Sequence, residues 1–241
     1  MNMKIVDAYW EKRNLGVSTV EVQMDSNDRI ETLRNEFESI SAEYIVVKVP
    51  SERNDISTYV QQKGFLYIED MLHMEHDLHE VLRSRMHQRL YDVTTYRKMT
   101  DEDVKQLKQE ISMGMFSTDR ISNDPLFDSD KVSNRYINWL DDLIKQSAVP
   151  YLILYKNDPA GFIILKTNDG KIYNSVLGGG YSKYRNTGLG IVQKEQEIVK
   201  ELGGKRVETQ VSSNNSGQLR ALEINGYATK GINHVFVKHN G

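Results

Sequence analysis

A glycine-rich turn between an apolar run and a periodic helix is the stretch of this sequence best suited to chemistry. The apolar run covers residues 172–177, three glycines follow it, and the order Arg185-x-x-Gly188-x-Gly190 then opens the helix. Glycine lets the backbone approach a ligand closely, and the first N–H groups of a helix have no partner within the helix. Because these groups carry the positive end of the helix dipole, the turn is suited to binding a pyrophosphate.

The turn differs from the two commonest nucleotide-binding patterns. A dinucleotide fingerprint has the order Gly-x-Gly-x-x-Gly with an acidic residue about 20 positions later, and a P-loop has a lysine after its last glycine. Neither order is present here, so NAD and the P-loop nucleotides are disfavoured. Apolar spacing predicts the following helix, with Ile191, Glu195, Ile198 and Leu202 facing inward.

The order Arg-x-x-Gly-x-Gly between a strand and a helix resembles the acyl-CoA signature of the GNAT superfamily of N-acetyltransferases, Gln/Arg-x-x-Gly-x-Gly/Ala. A second block of that superfamily is also similar to the tail of this chain. Its counterparts here are the helix stop Gly203-Gly204, the alternating strand Val207, Thr209 and Val211, then Asn215, a short helix and Gly226-Tyr227.

This resemblance implies an α/β (α+β) fold with a mixed, mostly antiparallel sheet whose central strands splay apart. It also implies acetyl-CoA as the acyl donor, with its pantetheine arm lying in the gap like another strand. The run Gly178-Gly179-Gly180 suits such an arm because it leaves the backbone accessible. The residues that the resemblance assigns to the donor are Leu177, Gly178, Gly180, Arg185, Asn186, Thr187, Gly188, Leu189, Gly190 and Asn215.

Acyl transfer to an amine requires a proton acceptor for the amine and a proton for the departing thiolate. In much of the superfamily a tyrosine four residues before the glycine of the last block supplies that proton, but Leu222 occupies the position here. We therefore predict Tyr181 or Tyr227 as the acid, with protonation by solvent as the alternative. Glu208 is the predicted base. The alternative is that Glu208 simply points outward from its strand, because it alternates with the inward Val207.

Composition limits the other function classes. The 241 residues carry a net charge of -3, a mean hydropathy of -0.57 and no cysteine. A thiol nucleophile is therefore excluded, and the charge argues against nucleic acid as a partner. Apolar runs reach only about five residues, and no signal peptide opens the chain, so we expect a cytoplasmic protein without a membrane partner.

Residues 1–88 are predicted to form a small α/β domain ahead of an acetyltransferase domain at residues 89–241. Strands are expected around residues 17–22, 44–49 and 65–72, and helices at 30–40 and 55–62. The order of helix, Gly64-Phe65 and strand repeats near Gly226. This indicates either a partial internal duplication or a common way of ending a helix.

In the second part the periodicity predicts a strand at 91–99, a capped helix at 101–113, an irregular stretch at 115–129 and a helix at 132–146. Strands at 151–155 and 161–166 are expected on either side of a connection at residues 157–160. A hairpin turn is predicted at residues 168–170.

The acceptor is less defined than the donor. Two-domain amino-sugar nucleotide (dTDP-fucosamine) acetyltransferases are similar in Trp10 to Gly16, in residues 44–49 and 64–69, and in the middle segment. The resemblance places an acceptor pocket at Phe116, Arg120, Arg135 and Tyr136, where the two arginines could grip a diphosphate. The alternatives are an N-acetyltransferase of a peptide amine, which residues 124–130 with three aspartates would suit, and a non-catalytic acyl-CoA binding module. The sequence also leaves open whether the protein forms a homodimer.

His73, His76 and His79 have the short spacing of some metal sites. Because they follow a predicted strand, His76 and His79 should point to opposite faces, and nearby acids indicate a solvated surface. We therefore expect no metal.

Overall fold

The computed structural model describes residues 3–37, 39–81, 83–185, 187 and 189–240. Its strands are β1 (Lys4–Asp7), β2 (Thr19–Gln23), β3 (Tyr44–Pro50), β4 (Leu66–His76), β5 (Thr94–Lys98), β6 (Val149–Tyr155), β7 (Asp158–Thr167), β8 (Ile172–Gly180), β9 (Arg206–Ser212) and β10 (Ala228–His239). Its helices are α1 (Tyr9–Leu15), α2 (Ile30–Phe37), α3 (Asn54–Gln62), α4 (Arg85–Asp92), α5 (Asp101–Ser112), α6 (Arg120–Asn123), α7 (Ser129–Lys145), α8 (Ile191–Glu201) and α9 (Ser216–Ile224).

The described strands join into one sheet with the order β1-β2-β3-β10-β4-β9-β8-β7-β6-β5. Two neighbouring pairs are parallel, β2 with β3 and β8 with β9. Each parallel pair is connected through a crossover helix, α2 in the first case and α8 in the second, as parallel strands require. All other pairs are antiparallel, which confirms the predicted α/β fold with a mixed, mostly antiparallel sheet.

Local sequence signals determine several element ends. Thr100 and Asp103 form the predicted capping box at the start of α5, which satisfies N–H groups that have no helical partner. Gly64 after α3 and Gly170 in the β7–β8 hairpin have positive φ angles of 82° and 68°, a conformation that glycine adopts without a steric cost.

Other sequence predictions in the second part are wrong. Tyr91 lies in α4, and only Thr94–Lys98 form the strand there, because Ser84 caps a helix by accepting a hydrogen bond from the His87 N–H at 3.2 Å. Arg120–Asn123 form a helix within the stretch that was predicted to be irregular. The β6–β7 turn lies at Lys156 and Asn157, both with positive φ, so that the predicted connection from residue 158 onward belongs to β7. Helix α1 was not predicted.

Helices cover both faces of the sheet. Side chains of β7 alternate between two clusters: Phe162 and Ile164 pack under α5 and α7, and Ile163 and Leu165 pack under α8 and α9. A third cluster lies under α2 and α3. In α8 the inward face includes Glu195 and Ile198 as predicted, but Leu202 is 44% exposed, so its assignment to that face is wrong.

Strands from the two predicted domains are interleaved. β4 lies between β10 and β9 and pairs with both of them. The boundary at residue 88 falls within α4, and the sheet continues across it. The division into domains at residues 1–88 and 89–241 stays a prediction.

His76 and His79 do not point to opposite faces. Their rings stack with centroids 4.4 Å apart, because Leu78 between them has a φ of 61° and turns the chain. The His76 Nδ1 accepts a hydrogen bond from the Leu78 N–H at 2.9 Å. In the part of the chain that the structure describes, no group of three potential ligands is arranged to hold a metal ion, and no helix there is both long enough and apolar enough to span a bilayer.

Candidate active site

The two parallel strands β8 and β9 separate halfway along their length. Their pairing ends at Ser175 and Thr209, whereas β8 continues to Gly180 and β9 to Ser212. The register between β7 and β8 shifts at this point, so that Val176 is an extra residue in β8. Such a bulge bends a strand and increases its twist, and it occurs where β8 turns away from β9.

The gap between the strands opens into a cavity of about 1480 Å³. Residues 176–180 of β8 and residues 210–212 of β9 line it. Beyond Ser175 these strands no longer pair with each other, so the facing backbone N–H and C=O groups are accessible to a ligand that lies between them. The predicted donor residues Leu177, Gly178 and Gly180 are therefore together in one wall.

The predicted pyrophosphate turn lies at the mouth of the same cavity. Arg185, Thr187 and Leu189 line it, whereas Asn186 and Gly188 lie outside the described residues. Gly190 is the N-cap of α8. Because α8 begins here, its dipole and its first N–H groups favour an anion at this mouth.

Asn215, at the start of α9, lines the same cavity. Its side-chain oxygen accepts a hydrogen bond from the Gln218 N–H at 3.1 Å and caps α9. The structure therefore gives Asn215 a helix-capping role within the predicted donor site.

Close packing holds the start of α8 against the end of β8. A Cβ atom on Gly161 of β7 would lie 2.6 Å from the Gly179 carbonyl oxygen and 2.7 Å from Ile191 Cδ1. Distances this short do not occur in real packing, so only glycine allows this approach. Gly161 thereby positions the helix terminus relative to the gap, a role that the sequence did not indicate.

Of the three predicted catalytic residues, Glu208 alone lines the cavity. It pairs with Asn174 of β8 and precedes the last paired residue, Thr209, so it lies at the level where the gap begins. Tyr181 and Tyr227 are buried outside the cavity lining, with 1% and 5% of their surface exposed. The structure therefore does not bring these two hydroxyls to the gap.

Burial raises the pKa of both tyrosines, and the Tyr227 hydroxyl donates a hydrogen bond to Glu195. A second hydroxyl, that of Ser175, donates to the other oxygen of the same carboxylate. Glu195 lines the cavity from α8. Its pKa is raised overall, because the effect of burial exceeds that of the two hydroxyls, which lower it. Leu222 is 1% exposed and has no polar atom to replace the usual acid.

The predicted acceptor residues are brought together. Phe116, Arg120, Arg135 and Tyr136 all line the cavity, and the rings of Phe116 and Tyr136 stack with centroids 4.0 Å apart. Both guanidinium groups already have carboxylate partners. Arg120 lies 2.5 Å from Glu21, and Arg135 lies 2.8 Å from Glu11 and 3.6 Å from Asp119.

Two of the partners of these arginines, Glu11 and Glu21, come from the N-terminal part of the chain, residues 1–88. Glu11 on α1 is fully buried and is held by an amide donor from Asn14 at 3.3 Å. Glu21 on β2 also pairs with Lys48 at 2.8 Å. Burial works against its charged form, but the charges of Arg120 and Lys48 outweigh burial and lower the pKa of Glu21 to about 2.

The N-terminal part thus supplies one wall of the cavity, with the lining residues Tyr9, Trp10, Arg13, Asn14, Glu21, Lys48, Glu69, Met71 and His73. Sequence reasoning did not predict any of these residues as a site residue, although the noted similarity includes Trp10, Lys48 and Glu69. These residues share no spaced motif with one another, so no signal in the single sequence could have grouped them.

Solved structures with this arrangement of elements are known. A GCN5-related N-acetyltransferase from Sphaerobacter thermophilus is 13% identical, with a TM-score of 0.62 over 98% of this chain and 76% of the other. One from Kribbella flavida is 13% identical, with a TM-score of 0.54 over 93% and 82%. A tandem GNAT protein from the clavulanic acid biosynthesis pathway is 11% identical, with a TM-score of 0.54 over 92% and 75%.

No family model matches the sequence, and no curated protein matches it at a significant level. At identities of 11–13% the structural likeness establishes the fold and not the activity. The chain therefore has the fold of the GCN5-related (GNAT) N-acetyltransferases.

Proposed function

We propose that this protein is an acetyl-CoA dependent N-acetyltransferase that acts on the amine of a small acceptor. The observation that carries this proposal is the gap between β8 and β9, which leads from the start of α8 into a large cavity. An extended pantetheine arm can pair with accessible strand edges as an added strand does. The glycine-lined wall and the helix N-terminus fit such an arm and a pyrophosphate respectively.

Residues of this chain would perform three tasks in the transfer. The backbone of residues 176–180 would hold and orient the thioester arm, and Arg185 with the first turn of α8 would hold its phosphates. Glu208, at the start of the gap, would accept the proton of the attacking amine. Acetyl-CoA supplies the activated acetyl group, whose carbonyl carbon forms the new C–N bond as its C–S bond breaks.

Neither of the two side chains predicted to protonate the departing thiolate lies in the cavity lining. The hydroxyls of Tyr181 and Tyr227 lie outside the lining, and Leu222 is apolar. This supports the alternative in which solvent protonates the thiolate. The absence of the usual tyrosine also motivates a second candidate, an acyl-CoA binding module without turnover.

A nucleotide-linked amino sugar stays a prediction for the acceptor. Its diphosphate needs cations that are free to bind it, and the carboxylates that pair with Arg120 and Arg135 weigh against this. None of the three similar structures named above is described as an amino-sugar nucleotide acetyltransferase. A peptide amine remains an alternative, and a thiol-release assay with amino-sugar nucleotides, small amines and lysine peptides separates these acceptors.

Calorimetric titration with CoA tests the donor site. We expect binding by the wild-type protein and its loss in Gly188→Val, because side-chain bulk in the signature turn keeps the backbone away from the pyrophosphate. Gly231→Val is the matched control, since nothing lies within 4 Å of a Cβ at that position. If the folded wild type did not bind CoA, or if Gly188→Val retained full affinity, the proposed donor site would be wrong.

A further inference from the structure

Glu69 on β4 is a buried carboxylate that the proposed reaction does not use. It lines the cavity although only 1% of its surface is exposed. Among the residues that the structure describes, neither of its carboxylate oxygens has a hydrogen-bond partner. The Ser212 hydroxyl and the Arg120 backbone N–H are close enough to lower the pKa of Glu69, but the Ser212 hydroxyl donates its proton to the Thr118 carbonyl at 2.9 Å. An isolated buried charge is costly, so this group requires either a proton or a cation.

The cations around Glu69 are already paired with other acids. Arg120, Arg135 and Lys48 make ion pairs with Glu11, Glu21 and Asp119, and none of these pairs includes Glu69. Three cations therefore face four carboxylates when Glu69 is ionised. One more positive charge would balance the cluster.

The other groups that act on Glu69 do not supply that charge. Asp119 at the start of α6 raises the pKa of Glu69, whereas the charge and the backbone N–H of Arg120 lower it. The Arg120 guanidinium already pairs with Glu11 and Glu21. Its neighbour on β9 is the Ser212 hydroxyl, and its partner on β10 is Val235. Burial raises the pKa of Glu69, which favours a protonated carboxyl until a cation binds.

Glu69 lies beyond the open end of the gap. Ser212, the last residue of β9, pairs with Met71, and Gln210, at the start of the gap, pairs with His73. Glu69 is four residues from His73 along β4, which is about 13 Å in an extended strand. A ligand that reaches both places must be elongated.

We propose that Glu69 binds a cationic group of the acceptor, which is an elongated amine with a second positive charge at the end opposite to the reacting nitrogen. This inference rests on the proposed acyl transfer for the reacting end of the acceptor. The aromatic pair Phe116 and Tyr136 lines the same cavity and would pack against the chain that joins the two nitrogens. The substrate class is thus a dicationic amine and not an anionic nucleotide.

Acetyl transfer to two acceptors of equal length tests the inference. 1,8-Diaminooctane carries a second ammonium group, and 8-aminooctan-1-ol carries a neutral end. We expect Glu69→Gln to lower kcat/KM for the diamine about 10- to 100-fold, the range for a hydrogen bond to a charged group. The wild type and Glu69→Gln should acetylate the amino alcohol with the same kcat/KM. The exposed control Glu223→Gln should leave kcat/KM unchanged for both acceptors.

Calorimetry over a series of pH values supplies a readout that a merely structural glutamate would not change. Binding of the diamine should release a proton from Glu69, seen as a heat that depends on the ionisation enthalpy of the buffer, and Glu69→Gln should abolish that release. Equal losses for both acceptors, no loss for either, or proton release that persists in Glu69→Gln would overturn the inference. These outcomes leave CoA binding intact, whereas failure of the proposed function would appear as a wild type that does not bind CoA.

Discussion

Glu21 is the residue on which the buried charge cluster of the cavity depends. It contacts both Arg120 and Lys48, and their charges outweigh burial to lower its pKa to about 2. A lowered carboxylate pKa stabilises the fold above the ordinary pKa of 4.5, and this stability is lost as the pH falls from there toward 2. Acid should therefore weaken the cluster within that window.

Glu21→Gln tests this effect. At pH 7 we expect the free energy of unfolding to fall by about 3 kcal/mol, since removing one partner leaves buried cations uncompensated. The variant should also lose less stability than the wild type between pH 4.5 and 2, where Glu21 takes up its proton. Denaturant unfolding across this range measures both quantities. An unchanged acid profile in Glu21→Gln, with the exposed control Glu223→Gln also unchanged, would contradict the argument.

Single residues could be predicted where a local motif defined them. Arg185 and Glu208 were found because a turn or a strand placed them, and both line the cavity. Arg120 and Arg135 also line the cavity, but their partner Glu11 is 109 and 124 residues away from them. Such long-range pairing gives no signal in one sequence. Glu69 likewise has no local motif that distinguishes it from any other polar residue within a strand.

The β8–α8 junction is the element on which the proposed donor site depends. Its apolar strand, its glycines and its helix start were predictable, because each has a local cause. The bulge at Val176 was not, since it depends on the register with β7. The length of β8 was not predictable either, because its last residue, Gly180, belongs to the strand through its pairing with Gly161 of β7.

Gly161→Ala should loosen this junction. The added methyl group would meet the Gly179 carbonyl and Ile191 Cδ1, so the start of α8 must move away from the gap. We expect CoA affinity to fall about 10-fold or more while the protein stays folded, because the misplaced helix terminus weakens the pyrophosphate contact. Gly231→Ala, which has open space around its Cβ, is the control for calorimetry. Equal affinity in all three proteins would show that the packing does not position the helix.

At the scale of the whole molecule the two halves of the sheet repeat one order of elements. The order β2, α2, β3, α3, β4 matches β8, α8, β9, α9, β10, and the first and third elements of each set are parallel neighbours. Gly64 and Gly226 end α3 and α9 with φ angles of 82° and 81°. The topology therefore favours duplication over the alternative of a common helix end.

The two repeats exchange their last strands. β4 of the first repeat pairs with β9 of the second, and β10 of the second pairs with β3 of the first. In each repeat the final strand therefore completes the other half of the sheet. A sequence could indicate the repeated order through its glycines and periodicity, but strand exchange depends on contacts between distant segments.

This exchange leads to a prediction about fragments. A chain that begins at Arg89 lacks β4, which leaves an edge of β9 and an edge of β10 unpaired, and it also lacks the N-terminal wall of the cavity. Exposed strand edges and uncovered apolar side chains favour aggregation. We expect neither residues 1–80 nor residues 81–241 to fold alone, whereas co-expression of the two should restore a soluble complex. The cut falls between Glu80 and Val81, in the connection that follows β4.

Size-exclusion chromatography and calorimetric CoA titration of the co-purified fragments test this prediction. The complex should bind CoA with nearly the affinity of the intact chain, because the proposed donor site lies within the second fragment and the first fragment supplies β4, which pairs with β9. The matched control is the second fragment expressed alone under the same conditions. If that fragment were soluble, cooperatively folded and fully able to bind CoA, the N-terminal part would be an independent domain and the exchanged strands would contribute little to stability.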